Sequence, residues 1–334
     1  ISVCHGTACH VKGAEQVTAA LRRHLRITSG QDTDPQGLFT IQKVNCLGCC
    51  TLAPVLQIDG ITYGHQSPDT VGETIQDFLE LKRRGLLLPP VTDRVQPRPG
   101  LAEIRVGIGS CCVAGGSLQV REALEQAVRE VGAPAVVKPV GCVGMCHRTP
   151  MVEIVKPGEP PHLYAKVTAD QAGDIVRRHF PPRAVGRRVV TAISTAVERL
   201  LDDEAWQPVT RYAVDVRDQP VCGFLGPQVR IATEHSGALD PFSLEEYLRT
   251  GGFAALRRCL HERTPEEVID EVKSSGLRGR GGAGFPTGRK WELVRAQPSQ
   301  PKYVLCNGDE GDPGAFMDRM ILESYPFRVL EGLA

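Results

Sequence analysis

The chain has 334 residues, enough for two or three domains of about 150 residues each. Basic and acidic residues both number 39, so the formal net charge is zero and the basic excess typical of a nucleic-acid-binding protein is not present. Hydrophobic residues make up 41% of the chain, which predicts packed cores. The sequence contains no run of about 18 apolar residues, so no membrane-spanning helix is predicted. The first residues contain no Met, basic leader or apolar signal segment, so we expect a processed or trimmed start.

The first predicted domain covers residues 1–86 and has the order βαββα. Apolar residues at helical spacing, among them Val17 and Leu21, predict a helix, and the Asp59-Gly60 turn predicts a hairpin. The predicted elements are a strand that ends at Cys4, a helix over 13–26, a strand over 38–44, hairpin strands over 55–58 and 61–63, and a helix over 69–84.

The second predicted domain, residues 103–181, repeats this order after a proline-rich linker over 87–102. Its predicted strands cover 104–108, 135–140, 151–155 and 163–167, and its helices cover 117–131 and 169–179. The turn from Cys46 to Cys50, C-L-G-C-C, matches the turn from Cys142 to Cys146, C-V-G-M-C, and each is followed three residues later by an X-Pro pair. An internal duplication is the simplest explanation.

A polar and basic connector over 182–220 precedes a third predicted domain, residues 221–334. Ser243 and Thr264 have the form of helix N-caps, each with Glu three residues later, and Pro265 suits the first position of the second helix. That helix is predicted to end at Ser275, before Gly276. A strand is predicted over 303–306.

Most of the twelve cysteines fall into tight local groups, which favours metal ligation over the scattered disulfides of small secreted domains. Zinc, a redox C-x-x-C pair and inert buried thiols are the alternatives left open by the spacing in the first domain. The second copy has Met145 where the first has Cys49, so Cys49 is predicted not to be a ligand. The candidate ligands, each expected in a loop at a strand end, are Cys4, Cys9, Cys46 and Cys50.

The C-x4-C pair, followed some forty residues later by C-x3-C in a βαββα unit, resembles the thioredoxin-like [2Fe-2S] ferredoxin family. That family includes the small 2Fe-2S component of respiratory complex I. The resemblance covers the whole first domain and implies that these four cysteines hold a [2Fe-2S] cluster.

The second copy keeps three of the four ligand positions, at Cys112, Cys142 and Cys146. When Cys112 is aligned with Cys9, Gly107 falls where Cys4 would be. Cys111 could substitute, although its side chain should point elsewhere if the backbone is extended. The alternatives are a cluster with unusual ligation and a structural module without a cluster.

A glycine-rich stretch over 276–288 is the second distinctive feature. Residues 279–284 satisfy G-x-G-x-x-G, but a helix precedes them, so an ordinary dinucleotide-binding fold is rejected, and the lysine of a phosphate-binding P-loop is not in place. The glycines still allow a flat or phosphorylated ligand to approach the backbone closely, and Arg280, Arg289 and Lys290 supply positive charge.

An acidic turn follows the predicted strand over 303–306. Asp309, Glu310 and Asp312 lie close together after Asn307, without the ligand order of a calcium-binding EF-hand. Carboxylates and an amide beside a phosphate-binding loop suit the hydroxyl groups of a ribityl chain or a ribose.

Together these two stretches resemble the FMN- and NADH-binding subunit of complex I and the diaphorase subunits of NAD(P)-linked hydrogenases and formate dehydrogenases. The resemblance implies that Phe285 stacks on adenine, with Gly282 and Ala283 on the nucleotide side. Asp312 would lie near the nicotinamide, and its short side chain leaves open whether the chain prefers NADH or NADPH. The cofactor-binding stretch also includes Arg280 and Gly284. The residues assigned to FMN are Gly279, Gly281, Lys290, Asn307, Asp309 and Glu310.

The resemblances imply an α/β fold class, with two tandem thioredoxin-like ferredoxin domains followed by the start of an FMN-binding domain. They imply a cytoplasmic NAD(P)H oxidoreductase subunit that exchanges hydride between nicotinamide and FMN. Single electrons would pass through iron–sulfur clusters to or from a hydrogenase or formate dehydrogenase catalytic subunit, without membrane insertion. A complex I peripheral-arm subunit and a non-enzymatic electron-carrier scaffold are the alternatives. A [4Fe-4S] motif is expected only beyond Ala334.

Three other cysteines, Cys222, Cys259 and Cys306, are predicted to be ordinary buried or half-buried thiols. The histidines that flank the ligand loops, His5, His10 and His147, are predicted to be solvated.

Overall fold

The computed structural model describes residues 1–84, 100–181, 213–214, 228–310, 312 and 315–334. Within these ranges the chain forms a main unit, from residues 1–242 and 309–324, and a C-terminal unit, from residues 243–308 and 325–334. The main unit contains two sheets, and we call residues 1–84 the first module and residues 100–181, with the strand at 213–214, the second module. Cys222 and most of the predicted linker and connector lie outside the described residues.

The first module is a four-stranded mixed sheet with helices packed on it. Its elements are β1 (Ser2–Cys4), α1 (Thr7–Val11), α2 (Ala14–His24), β2 (Gln42–Val44), β3 (Leu56–Ile58), β4 (Ile61–Tyr63) and α3 (Val71–Arg83). The strand order is β2-β1-β3-β4, with β1 parallel to β2 and antiparallel to β3. Asp59 and Gly60 both have positive φ, 44° and 88°, which confirms the predicted hairpin turn.

The core of the first module follows from the spacing of its apolar residues. Val17 and Leu21 lie one turn apart on α2 and are both buried, as are Leu56 on β3 and Phe78 on α3. The turn over 46–50 follows β2 and so lies at the end of a sheet that packs on this core.

The second module has the same arrangement. Its elements are β5 (Ala102–Gly107), α4 (Ser110–Ala114), α5 (Ser117–Val131), β6 (Ala135–Val140), β7 (Met151–Val155), β8 (His162–Ala165), α6 (Ala172–His179) and β9 (Ala213–Val214). The strand order β6-β5-β7-β8-β9 reproduces that of the first module and adds one edge strand. The predicted repeat of the element order is confirmed, whereas membership of the second module in the thioredoxin-like family stays a prediction.

Two short helices, α1 and α4, are the main departure from the predicted elements of the modules. Each is five residues long and carries a candidate ligand, Cys9 on α1 and Cys112 on α4. The prediction that Cys9 lies in a loop is wrong, because the chain turns helical directly after Gly6. Five residues span little more than one turn, too short for apolar periodicity to indicate a helix.

The C-terminal unit consists of helices. These are α7 (Leu244–Arg249), α8 (Ala254–Glu262), α9 (Pro265–Ser274), α10 (Thr287–Arg295) and α12 (Pro326–Leu333), while α11 (Met317–Ser324) belongs to the main unit. Both predicted N-caps are confirmed: the Ser243 hydroxyl accepts the Glu246 N–H, and Thr264 forms a full capping box with Glu267.

The strand predicted over 303–306 is wrong. Tyr303, Val304 and Leu305 are 79%, 73% and 88% exposed, and no described strand pairs with them. A strand needs a neighbour for its backbone hydrogen bonds, and apolar residues without one remain in the open. Among the described helices, none combines the length and the apolar composition needed to cross a membrane.

Candidate functional site

The four candidate ligands of the first module converge at one end of its sheet. Cys4 ends β1 and Cys9 lies on α1, and both are at most 2% exposed. The Cys4 thiol is hydrogen-bonded to Cys9 and to Cys46, while Cys50 acts electrostatically on Cys9. The structure therefore brings together the four thiols that the sequence spacing singled out.

Gly6 lets the β1–α1 loop approach the cysteine turn closely. A β carbon at Gly6 would lie 2.7 Å from the Asn45 carbonyl oxygen and 3.5 Å from the Cys46 sulfur. Any larger residue would push the two loops apart, so this glycine is required by the packing of the site itself.

Backbone N–H groups point at the sulfur atoms. The Gly48 N–H donates to the Cys46 sulfur at 3.3 Å, and the N–H groups of Gly6 and Leu47 donate to Cys4. The hydrogen bond with Cys9 is the main cause that lowers the pKa of Cys4 to about 5, and the same contact raises the pKa of Cys9. The contact thus favours a thiolate at Cys4, and the thiolate is the form that binds metals.

The number and the kind of these ligands suit a [2Fe-2S] cluster. A [2Fe-2S] cluster is held by four cysteine thiolates, which is the ligand set that this site supplies. Soft thiolates with N–H donors around them fit the cluster, and they are the residues that would hold it.

The second module presents four buried thiols of its own. Cys111 and Cys112 are consecutive on α4, and Cys142 and Cys146 lie in the turn after β6. The backbone at Cys111 is helical rather than extended, so the condition under which its side chain should point elsewhere does not hold, and the Cys111 thiol is hydrogen-bonded to Cys146. The Gly144 N–H donates to the Cys142 sulfur at 3.2 Å, as Gly48 does to Cys46.

The two modules meet at a pair of cysteines. The Cys111 sulfur lies 3.5 Å from the sulfur of Cys49, the cysteine that the repeat predicts not to be a ligand. Arg319 of α11 donates from one guanidinium nitrogen to Cys49 at 2.6 Å and from the other to Cys111 at 3.2 Å. Sequence reasoning missed Arg319, since a contact between residues 270 apart in the chain leaves no local signal.

The glycine-rich stretch forms an open hairpin-like loop in the C-terminal unit. The Gly279 N–H donates to the Phe285 carbonyl at 2.8 Å, and Arg280 donates to the Arg278 carbonyl. A β carbon at Gly281 or Gly282 would meet no atom within 4 Å, so the space beside this backbone is free for a ligand. The structure leaves exposed several residues of this loop and of α10 that the resemblance assigns to FMN or to the nucleotide. They are Gly281, Gly282, Ala283, Phe285 and Lys290.

The acidic turn is divided between the two units. Asn307 lies in the C-terminal unit, whereas Asp309, Glu310 and Asp312 lie in the main unit. The Glu310 carboxylate accepts the N–H groups of Asp318 and Arg319, at 2.7 and 3.2 Å, and so caps the first turn of α11. Asp312 is exposed.

The remaining cysteines and histidines follow the predictions in part. Cys259 is half-buried as predicted, but Cys306 is exposed because the strand expected to bury it does not form. His10 and His147 are exposed, whereas the prediction of a solvated His5 is wrong. The His5 ring is hydrogen-bonded to the Thr18 hydroxyl at 2.9 Å, and burial lowers its pKa.

Two segments of the chain match known families. Residues 1–79 match the family described as thioredoxin-like [2Fe-2S] ferredoxin, and residues 272–334 match the Nuo51 FMN-binding domain. Both resemblances drawn from the cysteine and glycine motifs are thereby confirmed.

Curated relatives match over part of the chain. An NADH-quinone oxidoreductase component of Rhizobium meliloti is 54% identical over 95 residues, which are 28% of this chain and 23% of that protein. The NADP-reducing hydrogenase component HndC of Solidesulfovibrio fructosivorans is 51% identical over 107 residues, 32% of this chain and 21% of that protein. The chain spans about a fifth of the length of these relatives.

Solved structures give a weaker likeness. A crystal structure of an NAD+-reducing [NiFe]-hydrogenase in the air-oxidized state covers 77% of this chain and 41% of that chain, at 20% identity and a TM-score of 0.24. A superposition at that score supports no structural argument.

Proposed function

We propose that this chain is part of a cytoplasmic NAD(P)H oxidoreductase of the diaphorase type, with FMN and at least one [2Fe-2S] cluster. The observation that carries the proposal is the convergence of four thiols in a module that matches the ferredoxin family, in one chain with an FMN-binding segment. When bound, FMN exchanges a hydride with the nicotinamide and the cluster carries single electrons. Such a pair of cofactors couples a two-electron donor to a one-electron carrier, because a hydride carries two electrons and a cluster carries one.

The first module would hold the cluster through its four thiols. Burial of Cys4 and Cys9 keeps water from the sulfurs, and the N–H groups of Gly6, Leu47 and Gly48 stabilise negative charge on them. Hydrogen bonds to sulfur and exclusion of solvent are two means by which a protein sets the reduction potential of a cluster.

The glycine loop would hold the flavin and the nucleotide. Gly279, Gly281, Lys290, Asn307, Asp309 and Glu310 are the proposed contacts to FMN, and Gly282, Ala283 and Phe285 are the proposed contacts to the nucleotide, with Asp312 near the nicotinamide. The free space beside Gly281 and Gly282 supports a flat ligand there. The exposed ring of Phe285 is available for stacking on adenine.

The proposed partner is the catalytic subunit of a hydrogenase or a formate dehydrogenase. The similarity to the hydrogenase component HndC supports this interpretation. The similarity to the NADH-quinone oxidoreductase component of Rhizobium meliloti supports the peripheral arm of complex I as the second candidate. Co-purification from the source cells followed by assays with hydrogen, formate and a quinone would separate the two.

The proposal is tested on the chain purified without oxygen. We expect flavin absorbance, a [2Fe-2S] signal in electron paramagnetic resonance after reduction, and NADH- or NADPH-dependent reduction of an artificial dye. The Cys9→Ala variant should lose the cluster signal of the first module and keep its flavin. A chain that binds both cofactors but reduces no dye would contradict the proposed enzymatic activity. A chain that binds no flavin would favour the alternative function, a non-enzymatic electron-carrier scaffold.

A further inference from the structure

The second module contains the largest group of thiols outside the site described for the first. We infer that this group holds a second [2Fe-2S] cluster, with Cys111 in the place of the ligand that the repeat lacks at Gly107. The inference rests on the proposed function and adds a second one-electron site to it. The four ligands are Cys111, Cys112, Cys142 and Cys146, which are 3%, 3%, 7% and 8% exposed.

The four thiols form a continuous chain of contacts. Cys112 is hydrogen-bonded to Cys142, Cys142 to Cys146, and Cys146 to Cys111. In the first module, Cys4 likewise contacts Cys9 and Cys46. Both modules therefore gather their sulfurs around a short helix after the first strand and a turn after the second strand.

The sequence of the repeat shows why a fourth sulfur from another position is needed. Gly107 ends β5 where Cys4 would stand, and a β carbon at Gly107 would lie 3.0 Å from the Cys112 sulfur. The Cys112 sulfur thus occupies the space that a side chain at position 107 would need. Cys111, one residue earlier on α4, supplies the sulfur that Gly107 cannot.

The position of α4 allows both of its cysteines to be buried. Consecutive helical residues point about 100° apart, so one of two neighbours usually faces solvent. Here α4 packs against β4 of the first module and against α5 of its own module. Cys112 faces a cavity of about 280 Å³ that Gly107 and Cys142 also line, while the Cys111 sulfur contacts Cys146 of its own module and Cys49 of the first.

The surroundings of the four thiols suit a charged cluster. The Gly144 N–H donates to the Cys142 sulfur at 3.2 Å. The guanidinium of Arg319 donates to the Cys111 sulfur at 3.2 Å. Four thiolates around two irons carry net negative charge, which N–H donors and an arginine stabilise.

A disulfide is the main competing use of Cys111. Its sulfur lies 3.5 Å from that of Cys49, and loss of two electrons and two protons to a peroxide would join them. A disulfide would remove Cys111 from the ligand set. Cys49 is therefore the matched control for Cys111, because it lies at the same contact but outside the proposed ligand set.

The test counts iron and acid-labile sulfide in the chain after anaerobic reconstitution with ferrous iron and sulfide. We expect about four irons and about four sulfides per chain, the content of two clusters. Cys111→Ala and Cys9→Ala should each lower the iron to about two, and Cys49→Ala should leave about four. The first-module signal in paramagnetic resonance shows that the Cys111→Ala chain is folded.

Several results would overturn the inference. The first is a wild-type chain that binds only about two irons and loses both in the Cys9→Ala variant. The others are a Cys111→Ala chain that keeps all its iron, a chain that binds zinc in place of iron, and a Cys49–Cys111 disulfide found by mass spectrometry in the reconstituted chain. The first of these leaves the proposed function intact. Iron that resists Cys9→Ala but is lost in Cys111→Ala would instead count against the proposed site in the first module.

Discussion

Gly6 is the residue on which the geometry of the first thiol site depends most directly. Its backbone φ is −56°, which any residue adopts, so a substitution there introduces a side chain without backbone strain. A methyl group at this position would lie 2.7 Å from the Asn45 carbonyl oxygen, and that oxygen belongs to backbone that cannot rotate away. The cost of Gly6→Ala is therefore steric.

We expect Gly6→Ala to lower the free energy of unfolding by about 1–3 kcal/mol, the usual range for overpacking, and to reduce the iron bound by the first module. Urea unfolding and iron content measure the two effects. Gly332→Ala is the control, because a β carbon there meets no atom within 4 Å. Unchanged stability and iron in Gly6→Ala would show that the two loops do not approach each other as described.

A histidine at the contact between β8 and α6 makes the stability of the folded chain depend on pH. The Tyr164 hydroxyl lies 2.6 Å from His179 Nε2, and the His162 ring lies 4.9 Å from the His179 ring between centroids. Burial is the main cause that lowers the pKa of His179 to about 4, and the nearby charges of His162, Lys156 and Arg178 add to it. The folded chain thus keeps this ring neutral where an unfolded chain, with a pKa of 6.5, is protonated.

Since only the unfolded state binds the proton between pH 6.5 and 4, stability should fall as the pH is lowered through this window. The ring is partly exposed, so we expect about 1–2 kcal/mol rather than the full effect of the shift. His179→Gln keeps an acceptor for Tyr164 without the charge. Urea unfolding at about pH 7 and about pH 5 should show a gain in the stability of the variant relative to wild type only at the lower pH, and an equal difference at both values would contradict the assignment.

Elements that repeat a clear period are the ones that the sequence predicts well. The helix predicted over 117–131 is observed as Ser117–Val131, because fifteen residues contain about four full turns of apolar spacing. The helices α1 and α4 are too short to show a period, although they orient Cys9, Cys111 and Cys112. The strand over 303–306 has the right composition but no pairing partner among the described strands.

The candidate site was predictable to the extent that it depends on local spacing. The C-x4-C and C-x3-C pairs are local patterns, so the four candidate ligands of the first module could be singled out from the sequence. The orientation of Cys111 depends on a helix that the sequence did not reveal, and its contact with Cys49 joins residues 62 apart. Packing between modules decides such contacts, and no local pattern encodes it.

At the scale of the whole chain, the two thiol sites are adjacent. Cys49 precedes Cys50, a proposed ligand of the first module, and its sulfur contacts Cys111, the inferred ligand of the second. Arg319 bridges the same two sulfurs. Two reduced clusters held this closely would each carry an unpaired electron, and their spins would interact.

We therefore expect the paramagnetic resonance signal of the fully reduced chain to be broadened or split by coupling between the two clusters. Partial reduction, which leaves one cluster oxidised in most chains, should give the sharp signal of an isolated centre. Cys111→Ala should give that sharp signal at every stage of a reductive titration, because only the first-module cluster remains. Two independent, sharp signals in the fully reduced wild-type chain, with iron for both clusters present, would contradict the close approach of the two thiol sites while leaving each site in place.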